Sequence, residues 1–233
     1  MIMKSLSLII GIDGCRAGWF AVWHDHEKVI QSKVFRYASD LITHFKTNKP
    51  IIIGIDMPVV LSDSIPREAD QLARKLLGKK SSSIFTAPTP GMLRQTSYED
   101  ATKFSKENYG KSISIQSWHL FPKIKDLSKI TDCKHLDIHE IHPELSFRSM
   151  NNDVVILERK KDSKGFEIRE ALLKREFSTL DFQGIRDQYL KKDVANDDIL
   201  DALAVLWSAQ RVARREATFL PANPNKPKMS IAF

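Results

Sequence analysis

Two stretches of the chain end the same way: LIIGID at residues 8–13 and IIIGID at residues 51–56. Each is a short aliphatic run closed by glycine, one more aliphatic residue and a carboxylate. Taken as Leu6–Asp13 and Pro50–Asp56, the runs read as buried strands. Buried strands of this kind sit inside a sheet that helices cover on both faces. Asp13 and Asp56 would then project from the ends of two central strands, where each acid caps a turn or holds a ligand.

The rest of the chain fits around these two strands. GCRAG, residues 14–18, has glycine at both ends and suits a hairpin. Trp19–Trp23 and Val29–Phe35 read as the next two strands of an antiparallel meander. Tyr37–Phe45 suits a short amphipathic helix with Leu41, Ile42 and Phe45 on one side. A helix between the third strand and Pro50–Asp56 implies parallel addition to the sheet. Pro66–Leu77 reads as a helix, with Pro66 near its start and Gly78 just past its end. Lys79–Ser97 is basic, Ser-rich and broken by proline, and reads as a loop. Helices are expected over Tyr98–Asn108, Ser114–Leu127, Glu144–Met150, Phe166–Arg175 and Phe182–Leu190, with a strand over Leu136–Ile141. Asn196–Arg214 is the most regular helix, striped by Leu200, Leu203, Ala204, Trp207 and Val212. Pro221–Phe233 reads as an extended tail.

The expected fold is therefore α/β: three antiparallel strands extended by two parallel ones, with helices on both faces. That is the ribonuclease H-like order. One domain over residues 1–216 is expected, with a helical insertion at about 79–135 before the last strand and a tail over 217–233.

Composition narrows the function. Of 233 residues 42% are hydrophobic, enough for a proper core. No run is long and apolar enough to span a bilayer, and no secretory signal pattern opens the chain, so no membrane partner is expected. Two cysteines, Cys15 and Cys133, make neither a disulfide framework nor a zinc pattern, which suits a reducing cytoplasm. The net charge of +7 favours polyanionic partners such as nucleic acid.

Four acids can meet at one edge of such a sheet. Parallel neighbours lie about 4.8 Å apart, so Asp13 and Asp56 reach a common point. Asp198 and Asp201 in NDDILDALA stand three apart, on one face of the late helix. Ala202 and Ala204 let that helix pack closely on the sheet. Asp197 points elsewhere and serves the helix N-terminus. Four carboxylates together repel one another unless a cation is present. All-oxygen ligands suit Mg²⁺ or Mn²⁺, and two such ions can activate water and stabilise a leaving oxygen in phosphodiester cleavage.

Glu140 and Glu144, in DIHEIHPELSF, can complete the metal site, orient water, or in the case of Glu144 cap the next helix. His139 and His142 face opposite ways and make a poor metal pair. Arg67, Asp70 and Arg74 share a helical face, either as a solvated face with an Asp70–Arg74 pair or as a phosphate clamp. Ser82, within Ser81–Ser83, Arg16 in the first turn and Lys123 in FPKIKD are further phosphate-binding candidates. Lys160–Lys161 is as ambiguous as Lys123.

GIDGCRAGW, IGIDMP, READQLARKLLG with SSSIFTAP, QSWHLFPKIKD, HEIHPELSF and NDDILDALAVL together resemble domain-of-unknown-function family 429. The resemblance runs from about Ile9 to about Arg214, with the blocks in the family's order. It implies a ribonuclease H-like nuclease. DILDALAVL also looks like the last helix of Holliday-junction resolvases, which carries two metal ligands, here Asp198 and Asp201. The superfamily's strand acids map onto Asp13 and Asp56.

The leading expectation is a metal-dependent nuclease that uses Asp13, Asp56, Asp198 and Asp201, with Arg16, Arg67, Arg74, Ser82 and Lys123 toward phosphate. An actin-like nucleotide-dependent phosphotransferase is the first alternative, but GIDGCRAG is only a faint phosphate hairpin and no second copy of the domain is visible. A non-catalytic nucleic-acid-binding module on the same fold is the second.

Overall fold

A computed structural model describes residues 8–45, 51–222 and 229–233. Leu6, Ser7 and Pro50 of the expected strands, and residues 223–228 of the expected tail, lie outside the described residues. The architecture is mixed α/β around one seven-stranded sheet of order β3-β2-β1-β4-β5-β7-β6. The strands are β1 (Leu8–Cys15), β2 (Gly18–His24), β3 (Ile30–Phe35), β4 (Ile51–Ile55), β5 (Leu136–Ile141), β6 (Phe219–Leu220) and β7 (Ile231–Ala232). The first three pair antiparallel, while β4 joins β1 and β5 joins β4 in parallel.

Two expectations change. Strand β1 does not end at Asp13: it runs to Cys15, which pairs with Gly18, so the hairpin turn is only Arg16–Ala17. What stops near Asp13 is the parallel pairing with β4, which ends at Ile12 and Ile55. The tail is also part of the sheet, because β7 pairs parallel with β5 and β6 pairs antiparallel with β7.

The helices are α1 (Ala38–His44), α2 (Glu68–Leu77), α3 (Pro90–Leu93), α4 (Tyr98–Tyr109), α5 (Ile115–Leu127), α6 (Pro143–Met150), α7 (Ser163–Glu176), α8 (Phe182–Arg186) and α9 (Asn196–Arg214). The expected loop over Lys79–Ser97 contains a 3₁₀ turn, Gly78–Ser83, and the short α3. Thr89 caps α3 by accepting from Met92 N–H, and Pro90 sits at its first position, where a missing N–H costs nothing. Among the described residues no helix is long and apolar enough to cross a membrane.

Alternation along β1 sends its side chains to two cores. Ile10 and Ile12 pack with Leu41, Phe121 and Ile124 on one face. On the other face Phe20 and Val22 of β2 pack with α6–α9 through residues such as Phe147, Leu173 and Leu203.

Helix α9 crosses this second face unusually closely. A Cβ built on Gly11 would lie 2.3 Å from Leu206 N and 2.5 Å from Ala202 O. On Gly54 it would lie 2.9 Å from Val205 Cγ1 and 3.0 Å from Ala209 Cβ. Gly11 and Gly54 pair in register, each two residues before an aspartate and so on that aspartate's face. The glycine of each GID thus admits α9, and the acid that follows meets the helix's N-terminal end.

Candidate metal and phosphate site

Register fixes the first two acids. Ile12 pairs with Ile55, and Asp56 N–H donates to Ile12 O at 3.0 Å, so Asp13 and Asp56 leave neighbouring strands side by side. Asp13 is buried and Asp56 half-buried. The first two turns of α9 add Asp198, half-buried, and Asp201, only 5% exposed. Asp198 Oδ2 accepts from Ala195 N–H at 2.8 Å and so closes the start of α9. The expected roles are therefore partly exchanged: Asp198 caps the helix, whereas Asp197 lies 3.7 Å from Lys160 Nζ.

Lys160 is the group that sequence reasoning undervalued. It lies just before α7 and donates through Nζ to Asp201 Oδ2. Burial works to lower its pKa, but Asp201, Asp13 and Asp197 hold it well above the usual lysine range. Lys160 and the nearby Lys123 do not balance four aspartates. Burial, then Asp201 and Asp56, push Asp13 well above the usual carboxylate range. Asp56 is pushed up to about 7 by burial, with Glu140 and Glu144 adding to the shift and Lys160 opposing it. Asp201 is pushed up to about 6 by burial and by Asp56, again against Lys160. Burial raises Asp198 as well.

The two glutamates are placed differently. Glu140 pairs in register with Ile55, so it leaves the sheet on the face opposite Asp56. There Arg67 grips it with both nitrogens, at 2.8 and 2.6 Å. The same guanidinium bonds Asp70 at 2.7 and 3.1 Å, and Asp70 Oδ2 accepts from Ala87 N–H at 3.3 Å. Glu144 opens α6 and is gripped by the buried Arg169 at 2.8 Å to each oxygen. Both glutamates adjoin the aspartates and are engaged by arginines, Glu140 sharing Arg67 with Asp70.

The phosphate candidates separate as well. Arg67 is buried in its ion pairs and is not available to phosphate, which corrects that expectation. Arg74 does not pair with Asp70. It donates to Ile84 O at 2.9 Å and Thr86 Oγ1 at 2.8 Å, and so ties α2 to the segment after the 3₁₀ turn. Ser82 is exposed on that turn and does not line the pocket beside the acids. Lys123 does approach: it lies over the Trp19 ring at 4.6 Å and against Gly14, with Nζ donating to Gly18 O. Arg16 is exposed at the hairpin tip, between a hollow shared with Lys191 and Lys192 and another shared with Arg36 and Lys129.

The donor chemistry of the four aspartates fits a hard divalent cation: all oxygen, and carboxyl groups that burial and mutual repulsion make ready for positive charge. Among the described residues no three His, Cys, Asp or Glu side chains are already drawn together as a ligand group. Lys160 stands where such a group would close, on Asp201.

No curated protein and no solved structure matches the chain. A family model does, over residues 11–226, and its description is "Protein of unknown function (DUF429)". The matched span runs from Gly11 at the first glycine contact, through all four aspartates, to the tail beyond β6. The chain belongs to domain-of-unknown-function family 429.

Proposed function

We propose that this protein is a metal-dependent phosphodiesterase that cleaves nucleic acid on a ribonuclease H-like fold. The fold reading is supported by the order β3-β2-β1-β4-β5, three antiparallel strands followed by two parallel ones. The functional reading rests on one observation: Asp56, Asp198 and Asp201 all act on the ionisation of Asp13 at one edge of the sheet, where three elements carry the four acids and Lys160 and Lys123 are the neighbouring ammonium groups.

These four residues would hold Mg²⁺ or Mn²⁺, which when bound supplies positive charge to phosphoryl oxygens and lowers the pKa of water. The chain's own cations do the rest. Lys160, released from Asp201 when the ion binds, would bring a positive charge to the edge where phosphate arrives. Arg16, with Lys191 and Lys192 on one side, can position the backbone on either side of the scissile bond.

Labelled single-stranded, duplex, hybrid and branched substrates incubated with Mn²⁺ test the reading. Cleavage that chelator stops and Asp13→Asn abolishes is expected. No cleavage of any substrate, or equal cleavage by Asp13→Asn, contradicts it.

A further inference from the structure

Asp13 and Asp56 do not open onto a flat groove. They form part of the wall of a pocket of about 200 Å³. Its other walls are mixed. Met57 and Pro58 follow β4, Leu120 and Ile124 come from α5, and Arg67 with Glu140 brings a buried ion pair to the lining. Phe85, 48% exposed, stands at the rim.

The pocket also carries two hydroxyl groups that each already accept one hydrogen bond. Ser117 Oγ accepts from Ser114 Oγ at 3.0 Å, and Thr86 Oγ1 accepts from Arg74 at 2.8 Å. Neither O–H has an acceptor of its own among the described residues, so both remain as donors.

These features limit what can enter. Drug-sized ligands fill pockets of about 300–1,000 Å³, so this one suits a single planar ring system. The apolar part of the lining and the aromatic rim favour stacking of a flat heterocycle, and two hydroxyl donors favour one with carbonyl oxygens. The acid-lined wall places the cation site against whatever phosphate that heterocycle carries. A base inside a duplex cannot reach such a hole without leaving its stack.

From this geometry we infer that the pocket takes one unstacked nucleobase next to the scissile phosphate, so the substrate class is single-stranded or frayed nucleic acid. The inference rests on the phosphodiesterase reading for its phosphate, but its base-binding half stands by itself.

Calorimetric titration of the full chain in Mg²⁺ separates the two. Uridine and guanosine 5′-monophosphates are compared with ribose 5-phosphate, which lacks the base. The nucleotides are expected to bind at least about tenfold more tightly, a 1.4 kcal/mol difference. Phe85→Ala, a change at the exposed rim, should weaken nucleotide binding several-fold and leave ribose 5-phosphate unchanged. Leu120→Trp, which fills the pocket, should remove the preference altogether. Equal binding of ribose 5-phosphate and nucleotide, no binding of either, or indifference to both substitutions overturns the inference. Nucleotide preference in a protein that cuts nothing leaves the pocket standing and removes the phosphodiesterase. Cleavage without nucleotide preference does the reverse.

Discussion

Six carboxylates crowd the edge of the sheet where β1, β4 and β5 meet α6 and α9, and they are held in two different ways. Glu140 and Glu144 each face a guanidinium that bonds both of their oxygens. Asp13, Asp56, Asp198 and Asp201 share the influence of two ammonium groups: Lys160, which bonds Asp201, and Lys123, which acts on Asp13 and Asp198. The glutamates are held by guanidinium groups inside the fold and act as struts: Arg67, shared by Glu140 and Asp70, joins β5 to α2, and Arg169 joins α6 to α7. Burial is the first cause of the raised pKa values of Asp56 and Asp201, and neighbouring carboxylates add to it. Burying carboxylates without full compensation costs stability, which is why the proposed function is put on the aspartates.

Breaking each set should therefore have opposite consequences. The largest effect is on turnover: Asp13→Asn should lower Mn²⁺-dependent cleavage at least about 100-fold, read as initial rates on a labelled oligonucleotide. Glu144→Gln should instead act on stability. It leaves the buried Arg169 charge without its carboxylate partner, at a cost of about 3–5 kcal/mol, read by urea unfolding. Equal loss of stability in Asp13→Asn would erase the contrast between the two sets.

A smaller effect sharpens it. Asp56→Asn removes a carboxylate that is hard to ionise, so without divalent ions at pH 8 the variant should be the more stable by on the order of 1 kcal/mol. The pH dependence has the same origin. The folded-state pKa values of about 7 for Asp56 and about 6 for Asp201 lie above the ordinary 3.8. Between 3.8 and about 7 the folded state binds more protons than the unfolded one, so stability falls as pH rises through that window. Thermal unfolding from pH 4 to pH 8 should show this decline, and saturating Mn²⁺ should flatten it. The smallest effect is at the surface: Arg16→Ala should reduce by about one the slope of log affinity against log salt for nucleic acid.

The aspartate side of this comparison was largely legible in the sequence. The two GID runs, their parallel pairing and the Asp-x-x-Asp spacing on the last helix place all four aspartates without any coordinates. Gly11 and Gly54 carry a signal that is visible afterwards: a glycine two residues before an acid, on the same strand face, admits a helix against that acid. The glutamate side was not legible. Glu140 meets Arg67 across 73 positions, and Glu144 meets Arg169 across 25. Local spacing assigns Asp70 to Arg74, whereas the folded chain gives Asp70 to Arg67, because Arg74 reaches Ile84 and Thr86. Lys160 was hidden for the same reason, its partner Asp201 being 41 positions away. The tail joins the sheet through only two short strands, too brief for a periodic pattern to reveal.

The central claim is that the aspartates, and not the glutamates, were left unbalanced in order to hold a cation. Diffraction from a crystal soaked in Mn²⁺, at a wavelength that reveals the ion, tests it most directly. Anomalous density among Asp13, Asp56 and the Asp198–Asp201 turn, with Lys160 moved off Asp201 and both glutamates still on their arginines, is the predicted result. No density at the aspartates, or an ion bound at Glu140 or Glu144, would contradict the account.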